Sequence, residues 1–166
     1  MPATRAANSE TFKVSTPSEC EIRITRLFDA PRHLVFEAFT KPEHVKRWWG
    51  ALGNGYSTIC EADVRPGGKW RYATSTPRGD VTFYGEYREI VPPERLVYTE
   101  IYAPAPDTVS VVTAVFTEEQ GKTRLTLDAL YPSREVRDIV LDSGMEKGAA
   151  LGYDRLEEIA MELKGS

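Results

Sequence analysis

The sequence predicts a single α+β domain in which a curved, seven-stranded antiparallel sheet wraps one long C-terminal helix. Three observations support this fold class. Two short helical segments follow the first strand, a long run of strand-like segments comes next, and the C-terminal part changes to a helical period. A sheet of this size needs a cover on its inner face, and only the last helix is long enough to provide it. This arrangement is a helix-grip layout.

The length of the chain is typical of one domain. Its 166 residues are enough to bury a substantial core without disulfides or metals. We expect residues 1–18 to form a flexible tail, because the segment is polar and Phe12 and Val14 are its hydrophobic anchors. The tail could end in an edge strand, and residues 19–166 are expected to form the domain.

The first strand and two short helices follow the tail. Residues 21–28 alternate between apolar and polar side chains, which predicts a half-buried strand. Asp29 is expected to cap a helix whose first turn contains Pro31. A second short helix is expected from Pro42 to Trp48, before a glycine-rich loop.

Six further strands are predicted in the middle of the chain. Turn residues such as Pro66-Gly67-Gly68 divide this region at regular intervals. Short connections favour antiparallel pairing of neighbours. The expected strands cover residues 57–64, 69–75, 81–90, 95–102, 109–117 and 122–130.

Helical periodicity returns after Pro132. Ser133 is a plausible cap for a first helix, and Gly144 should start or kink the longer segment 144–163. The buried stripe of this long helix is marked by Met145, Ala149, Leu156, Ile159, Ala160 and Leu163.

Charge and hydropathy argue against several classes of function. The formal net charge is −4 and the charges are interspersed, so the chain lacks the basic block expected of a nucleic-acid-binding protein. It contains no apolar run of the roughly 18 residues needed to span a membrane and no signal-peptide pattern at the N-terminus. We therefore predict a cytoplasmic protein with no membrane span.

The metal-ligating residue types are few and scattered. Cys20 and Cys60 are far apart in sequence and are expected to be ordinary half-buried thiols. His33 and His44 lie in segments that read as short surface helices. The sequence therefore predicts no metal site, no catalytic triad and no cofactor.

Several motifs are shared with a known family. They are Ile24-Thr25-Arg26-Leu27-Phe28-Asp29-Ala30-Pro31, residues 35–40, Trp48-Trp49-Gly50, residues 63–70, Gly85-Glu86-Tyr87, residues 92–97, residues 123–127 and residues 144–148. With these motifs the chain resembles the START-like, or SRPBCC, superfamily, in particular the branch named after the C-terminal domain of the activator of heat-shock protein 90 ATPase. The resemblance covers residues 21–163 and implies the helix-grip fold. It leaves function open, because this scaffold serves lipid carriers, polyketide aromatases and cyclases, and co-chaperone modules.

Glycines in the last helix are the first candidate for a ligand site. Gly144, Gly148 and Gly152 recur every four residues, and each should cost about 0.8–1 kcal/mol relative to alanine inside a helix. Either the helix backbone packs closely on the sheet or the missing side chains leave room for a ligand near Met145. The resemblance implies a bulky aromatic after the second glycine, and the small Ala149 found here favours a roomier cavity.

Aromatic residues supply the candidate walls of that cavity. Trp70, Tyr72, Tyr87 and Tyr98 lie on strand patterns that could point inward, where they would either orient an apolar ligand or fill an aromatic core. At the end of the second short helix, Trp48 and Trp49 are expected to plug the sheet or to gate the cavity mouth.

Glu100 is the charge of greatest interest. It lies between Tyr98 and Tyr102 on one predicted strand face, so a regular strand would turn it inward, where its pKa would rise and it could act as an acid or a base. A bulge that shifts the alternation would instead turn Glu100 outward. In contrast, Asp128 is expected to face solvent.

Three functions remain open at this level. The first is a carrier or sequestering protein for a small hydrophobic molecule of lipid, polyketide or aromatic type. The second is a cofactor-free enzyme of the aromatase or cyclase type. The third is a module that activates a chaperone ATPase, which is less favoured because the resemblance implies a further N-terminal domain that the sequence does not include. An edge strand near residues 10–16 could support a homodimer.

Overall fold

The computed structural model describes residues 11–50 and 57–165. The elements are β1 (Phe12–Ser15), β2 (Glu21–Phe28), α1 (Arg32–Thr40), α2 (Pro42–Trp48), β3 (Ser57–Ala62), β4 (Lys69–Thr76), β5 (Gly79–Val91), β6 (Arg95–Tyr102), β7 (Val109–Glu119), β8 (Lys122–Leu130), α3 (Arg134–Asp142) and α4 (Met145–Lys164). This order confirms the predicted sheet with a long C-terminal helix. The remainder of the predicted tail and most of the glycine-rich loop lie outside the described residues.

The strands form one antiparallel sheet in the order β1-β2-β8-β7-β6-β5-β4-β3. It has eight strands instead of seven, because β1 pairs with β2 in a register that places Phe12 opposite Arg26. Phe12 and Val14 are both buried. The last part of the segment expected to be a tail is therefore an edge strand anchored to the core.

Alternation along the strands separates two faces of the sheet. On β2, the side chains of Ile22, Ile24 and Phe28 are buried on the face that α4 covers, which we call the inner face. On the opposite face, Arg23 donates to both oxygens of Asp128 on β8, at 2.7 and 3.0 Å. The outward orientation predicted for Asp128 is confirmed.

Of the two helix caps predicted from the sequence, one is confirmed and one is wrong. Ser133 accepts a hydrogen bond from the backbone N–H of Val136 at 3.2 Å and caps α3 as expected. The cap predicted at Asp29 is wrong. Pro31 occupies the N-cap position of α1, and the Asp29 backbone N–H donates to Glu157 of α4 at 2.8 Å.

The long helix α4 packs against α1, α2 and α3. A buried arginine also ties it to the sheet, because Arg26 on β2 donates to Asp154 at 2.7 Å and lies 3.3 Å from Glu157. The Arg26 guanidinium also lies 4.9 Å from the centre of the Phe28 ring. Arg26 is therefore a buried ion-pair residue, with 7% of its side chain exposed. In the described part of the chain, no helix is long and apolar enough to cross a membrane.

Candidate functional site

The inner face of the sheet is packed unevenly. At the end near α1, the side chains of Phe28, Phe116, Leu125 and Leu156 are almost completely buried, with at most 1% of their surface exposed. Toward β5, β6 and the start of α4, a second set packs against the same core and remains only half-buried. This second set comprises Phe83, Tyr98, Met145, Ala149 and Ala150. Phe83 and Tyr98 are therefore less completely buried than the residues near α1, whereas Tyr87 and Leu96 on the same two strands are buried.

Four aromatic residues predicted to line the site are brought together on the inner face of β4, β5 and β6, where Trp70, Tyr72 and Tyr87 are buried and Tyr98 is half-buried. The rings of Trp70 and Tyr98 meet edge to face with centroids 5.7 Å apart, and those of Trp70 and Tyr72 are 4.9 Å apart. Tyr87 pairs directly with Tyr98 across the β5–β6 ladder, with ring centroids 6.2 Å apart. These four side chains form a continuous cluster that we call the aromatic cluster.

A glycine allows Trp70 to lie deep in the sheet. The Trp70 indole N–H donates to the backbone oxygen of Thr99 at 3.1 Å. Gly85 is the β5 partner of Trp70 in the ladder, and a Cβ atom there would overlap the Thr99 carbonyl and lie 2.8 Å from the indole nitrogen. The absence of a side chain at Gly85 is thus required for this position of the indole.

Glu100 faces inward, as the unbroken alternation predicts. It pairs with the buried Ser110 of β7, two residues along β6 from Tyr98. Burial raises the pKa of its carboxyl from 4.5 to about 7. In the described part of the chain, no basic side chain forms an ion pair with Glu100. Among residues 11–50 and 57–165, the charge of this carboxyl is therefore uncompensated.

Two tyrosines near Glu100 were not among the predicted site residues. Burial and the Glu100 charge raise the pKa of Tyr131, which follows β8, and of Tyr153 on α4. Both could have been found from the sequence. Tyr131 continues the alternation of Leu127 and Ala129, and Tyr153 lies one helical turn beyond Ala149.

The three tyrosines of the aromatic cluster also have raised pKa values and are neutral phenols at neutral pH. Burial raises the pKa of Tyr98, and the Glu100 charge adds to that effect. Burial likewise raises the pKa of Tyr72 and of Tyr87, whose hydroxyls interact with each other. The region therefore combines one carboxyl with several protonated hydroxyl groups.

The adjacent tryptophans have different roles. Trp48 is buried, its indole N–H donates to the Ala38 oxygen at 2.9 Å, and its ring packs on those of Phe39 and Tyr153. This is the predicted plug. Trp49 is half-buried and packs its ring on Tyr72, with centroids 5.7 Å apart. Trp49 therefore lies beside the aromatic cluster, and contact of either tryptophan with a ligand stays a prediction.

The glycines of the C-terminal segment do not act as one set. Gly144 is the N-cap of α4 with a φ of 87°, so it starts the helix as predicted but does not share the helix interior with Gly148 and Gly152. A Cβ atom at Gly152 would lie 3.0 Å from the Trp48 carbonyl oxygen, so the backbone is closely packed here, but against the end of α2 and not against the sheet as predicted. Gly148 and Met145 are half-buried in the first turns of α4. A ligand contact at these three glycines stays a prediction.

A separate depression lies on the outer face of the sheet. Its volume is about 480 Å³, and its lining comprises Glu61, Lys69, Trp70, Arg71, Thr82, Tyr84, Gly85 and Ala103. Trp70 is its one lining residue among those predicted to bind a ligand. This depression is therefore distinct from the inner-face region.

Metal-binding and nucleophilic groups contribute little to the region. Within residues 11–50 and 57–165, no group of three or more His, Cys, Asp or Glu side chains is placed to hold a metal ion. The Cys60 thiol donates to the Pro42 oxygen at 3.3 Å, and burial raises its pKa to about 11. Cys60 is therefore a protonated thiol at neutral pH.

Comparisons with known proteins place the chain in a family. The family model described as activator of Hsp90 ATPase homolog 1-like protein matches residues 29–161. A solved structure from Rhodobacter sphaeroides is 25% identical, covers 92% of this chain and 99% of its own, and gives a TM-score of 0.82. One from Mycobacterium smegmatis is 26% identical over 89% of this chain and 94% of its own, with a TM-score of 0.78.

A protein from Nitrosomonas europaea, 23% identical over 90% of this chain and 99% of its own, has the same fold with a TM-score of 0.77. Among proteins of curated function, none matches the sequence significantly. The family match and the shared fold confirm the resemblance that the sequence motifs indicate. The chain belongs to the activator of Hsp90 ATPase homolog 1-like branch of the START-like superfamily.

Proposed function

We propose that the protein binds a small, mainly apolar ligand between the inner face of the sheet and α4, as a carrier or sequestering protein. The uneven filling of that interface is the main support. Tyr98, Phe83 and Ala149 point toward the core and yet remain half-buried, whereas Leu125 and Leu156 in the same layer are fully buried. Inward side chains that keep accessible surface are what an unfilled interior space produces.

The chemistry of the region fits such a ligand. Aromatic walls with a few well-placed polar groups are typical of sites for small apolar molecules, which commonly have volumes of about 300–1,000 Å³. Here the aromatic cluster supplies the walls, and Glu100 supplies a polar group that can orient the ligand. A buried carboxyl without a cation lowers stability, so its presence is easier to explain by ligand binding than by packing.

A dye titration tests the proposal. The neutral probe N-phenyl-1-naphthylamine fluoresces more strongly in apolar surroundings, and the wild-type protein should bind it saturably. Ala149→Trp places a large ring in the proposed site and should weaken binding at least about tenfold, because a filled site excludes the probe.

The matched control is Leu151→Trp. Leu151 lies on the same helix and is 42% exposed, so the same new ring would point away from the core. This variant should keep wild-type binding. Equal binding by both variants would place the probe elsewhere, and a lack of saturable binding by the folded wild-type protein would refute the proposed function.

A second candidate is a cofactor-free enzyme that moves protons on a bound ligand. The specific support is Glu100, because a carboxyl with a pKa of about 7 can accept and donate a proton at neutral pH. Tyr98 and Tyr153 offer further hydroxyls beside it. An aromatase or cyclase reaction would use groups of this kind to transfer protons on a folded polyketone.

Deuterium exchange separates this candidate from simple binding. A compound that co-purifies with the protein is incubated with it in D₂O and then analysed by mass spectrometry. An enzyme of this type would incorporate deuterium into carbon-bound positions, and Glu100→Gln would abolish the incorporation. Equal incorporation with and without the protein would exclude the reaction.

A further inference from the structure

The Glu100 carboxyl lies on the inner face of β6, two residues along the strand from Tyr98 and opposite Ser110 of β7. The Glu100 carboxyl influences the hydroxyls of Tyr98 on its own strand, Tyr131 after β8 and Tyr153 on α4. The ladder places Tyr131 in the same row as Glu100, because Glu100 pairs with Ser110 of β7, and the residues that follow Ser110 and precede Tyr131, Val111 and Leu130, pair with each other. The three tyrosine hydroxyls stay protonated at neutral pH and leave Glu100 as the charged group of this set.

The buried arginine of the inner face does not compensate Glu100. Arg26 donates to Asp154 at 2.7 Å, lies 3.3 Å from Glu157, and stacks over the Phe28 ring. Its charge is therefore already matched by two carboxylates of α4. A cation that pairs with Glu100 has to come from outside the described part of the chain.

We propose that the ligand carries one organic cation, a protonated amine, which pairs with Glu100 among the rings of Tyr98, Tyr131 and Tyr153. This inference rests on the proposed binding function. Aromatic faces attract ammonium groups, and this attraction strengthens when the site is shielded from water. A carboxylate beside such rings adds a direct ion pair with the ammonium group.

Other ligand charges fit the site less well. An anionic group would bring two like charges together in surroundings of low polarity, which strongly opposes binding. A neutral ligand would leave the Glu100 charge uncompensated or would require the carboxyl to take up a proton. A single positive charge is the one arrangement that neutralises the site while Glu100 stays ionised.

Three probes of equal shape test this assignment by isothermal titration calorimetry. They are 1-naphthylmethylamine, 1-naphthylmethanol and 1-naphthoic acid. At about pH 8, the wild-type protein should bind the amine at least about tenfold more tightly than the alcohol, and the acid most weakly. Glu100→Gln should remove the preference for the amine while keeping affinity for the alcohol.

The matched control is Glu86→Gln, which makes the same change on the outer face of β5. Glu86 is exposed and should not affect the preference. Because Glu100 has a pKa of about 7, amine affinity should also rise several-fold from about pH 6 to about pH 8 as the carboxyl ionises. The raised pKa values of Tyr98, Tyr131 and Tyr153 keep their hydroxyls protonated in this range.

The outcomes separate the two levels of the proposal. If the alcohol binds as tightly as the amine, or if Glu100→Gln keeps the preference, the amine assignment is wrong and the binding function stands. If none of the three probes binds and the folded protein also fails to bind N-phenyl-1-naphthylamine, the binding function fails and the assignment fails with it.

Discussion

Tyr98 and Glu100 lie two residues apart on β6 with both side chains on the inner face of the sheet, and burial together with the Glu100 charge raises the pKa of Tyr98. The relationship follows from the two-residue repeat of a strand. Its consequence is that a carboxyl lies within an aromatic layer where the protein offers it no described cation. Stability and ligand binding should both depend on it.

The first prediction concerns pH and stability. Burial raises the Glu100 pKa from 4.5 to about 7, so between these values the folded protein holds a proton that the unfolded chain has released. Stability should therefore fall as pH rises through this window and level off above it. The loss is at most about 3 kcal/mol, since one pKa unit corresponds to about 1.4 kcal/mol.

Glu100→Gln removes the titrating group, so its free energy of unfolding should not fall over this pH range. Relative to the wild type, the variant should therefore become more stable by up to about 3 kcal/mol from low to high pH. Urea unfolding near pH 5 and near pH 8 measures the difference in free energy. The exposed Glu86→Gln on the neighbouring strand should follow the wild type. Parallel pH profiles for Glu100→Gln and wild type would show that the carboxyl is not buried.

The second prediction concerns Gly85. Gly85→Ala would force a Cβ atom against the Thr99 carbonyl and the Trp70 indole, so we expect a loss of about 2–4 kcal/mol. The Trp70 hydrogen bond to Thr99 should break, which would shift tryptophan fluorescence. Glu86→Ala, at the exposed neighbouring position, should cost much less. Wild-type stability of Gly85→Ala would contradict the close approach.

The third prediction concerns the contact between Gly152 and Trp48. Gly152→Leu places a large side chain against the Trp48 carbonyl, and the resulting displacement should exceed the gain in helix propensity, for a net loss of about 1–3 kcal/mol. Lys147→Leu, at an exposed site of the same helix, serves as control in urea unfolding. An unchanged midpoint for Gly152→Leu would argue against packing at this position.

The fourth prediction concerns the ionisation of tyrosines. Five of the eight tyrosines have a raised pKa, namely Tyr72, Tyr87, Tyr98, Tyr131 and Tyr153. Absorbance at about 295 nm should therefore show, near pH 10, a step from no more than three residues in the folded protein. The rest should ionise only at higher pH or on unfolding. A step from all eight while the protein remains folded would show that the aromatic cluster is open to water.

Local patterns predicted much of the fold. The predicted bounds of Glu21–Phe28, Pro42–Trp48 and Arg95–Tyr102 agree with the structure, because turn residues and helix-starting prolines mark their ends. Alternation left the orientation of Glu100 open, and the regular pairing of β6 with β7 at this position gives the inward one.

Other features depend on contacts between distant parts of the chain. Arg26 on β2 pairs with Asp154, which lies 128 residues away on α4. Likewise, β1 is a short strand in a polar segment, and it becomes a strand because it adds to the edge of β2. In both cases the pairing depends on tertiary structure that local periodicity does not encode.

Native mass spectrometry of the freshly purified protein tests the central claim, ligand binding between sheet and helix, most directly. We predict a discrete added mass that stays with the folded wild-type chain, is released on denaturation, and is retained by Leu151→Trp but lost from Ala149→Trp. The mass of the bare chain alone in all three proteins would contradict a carrier or sequestering function at this site.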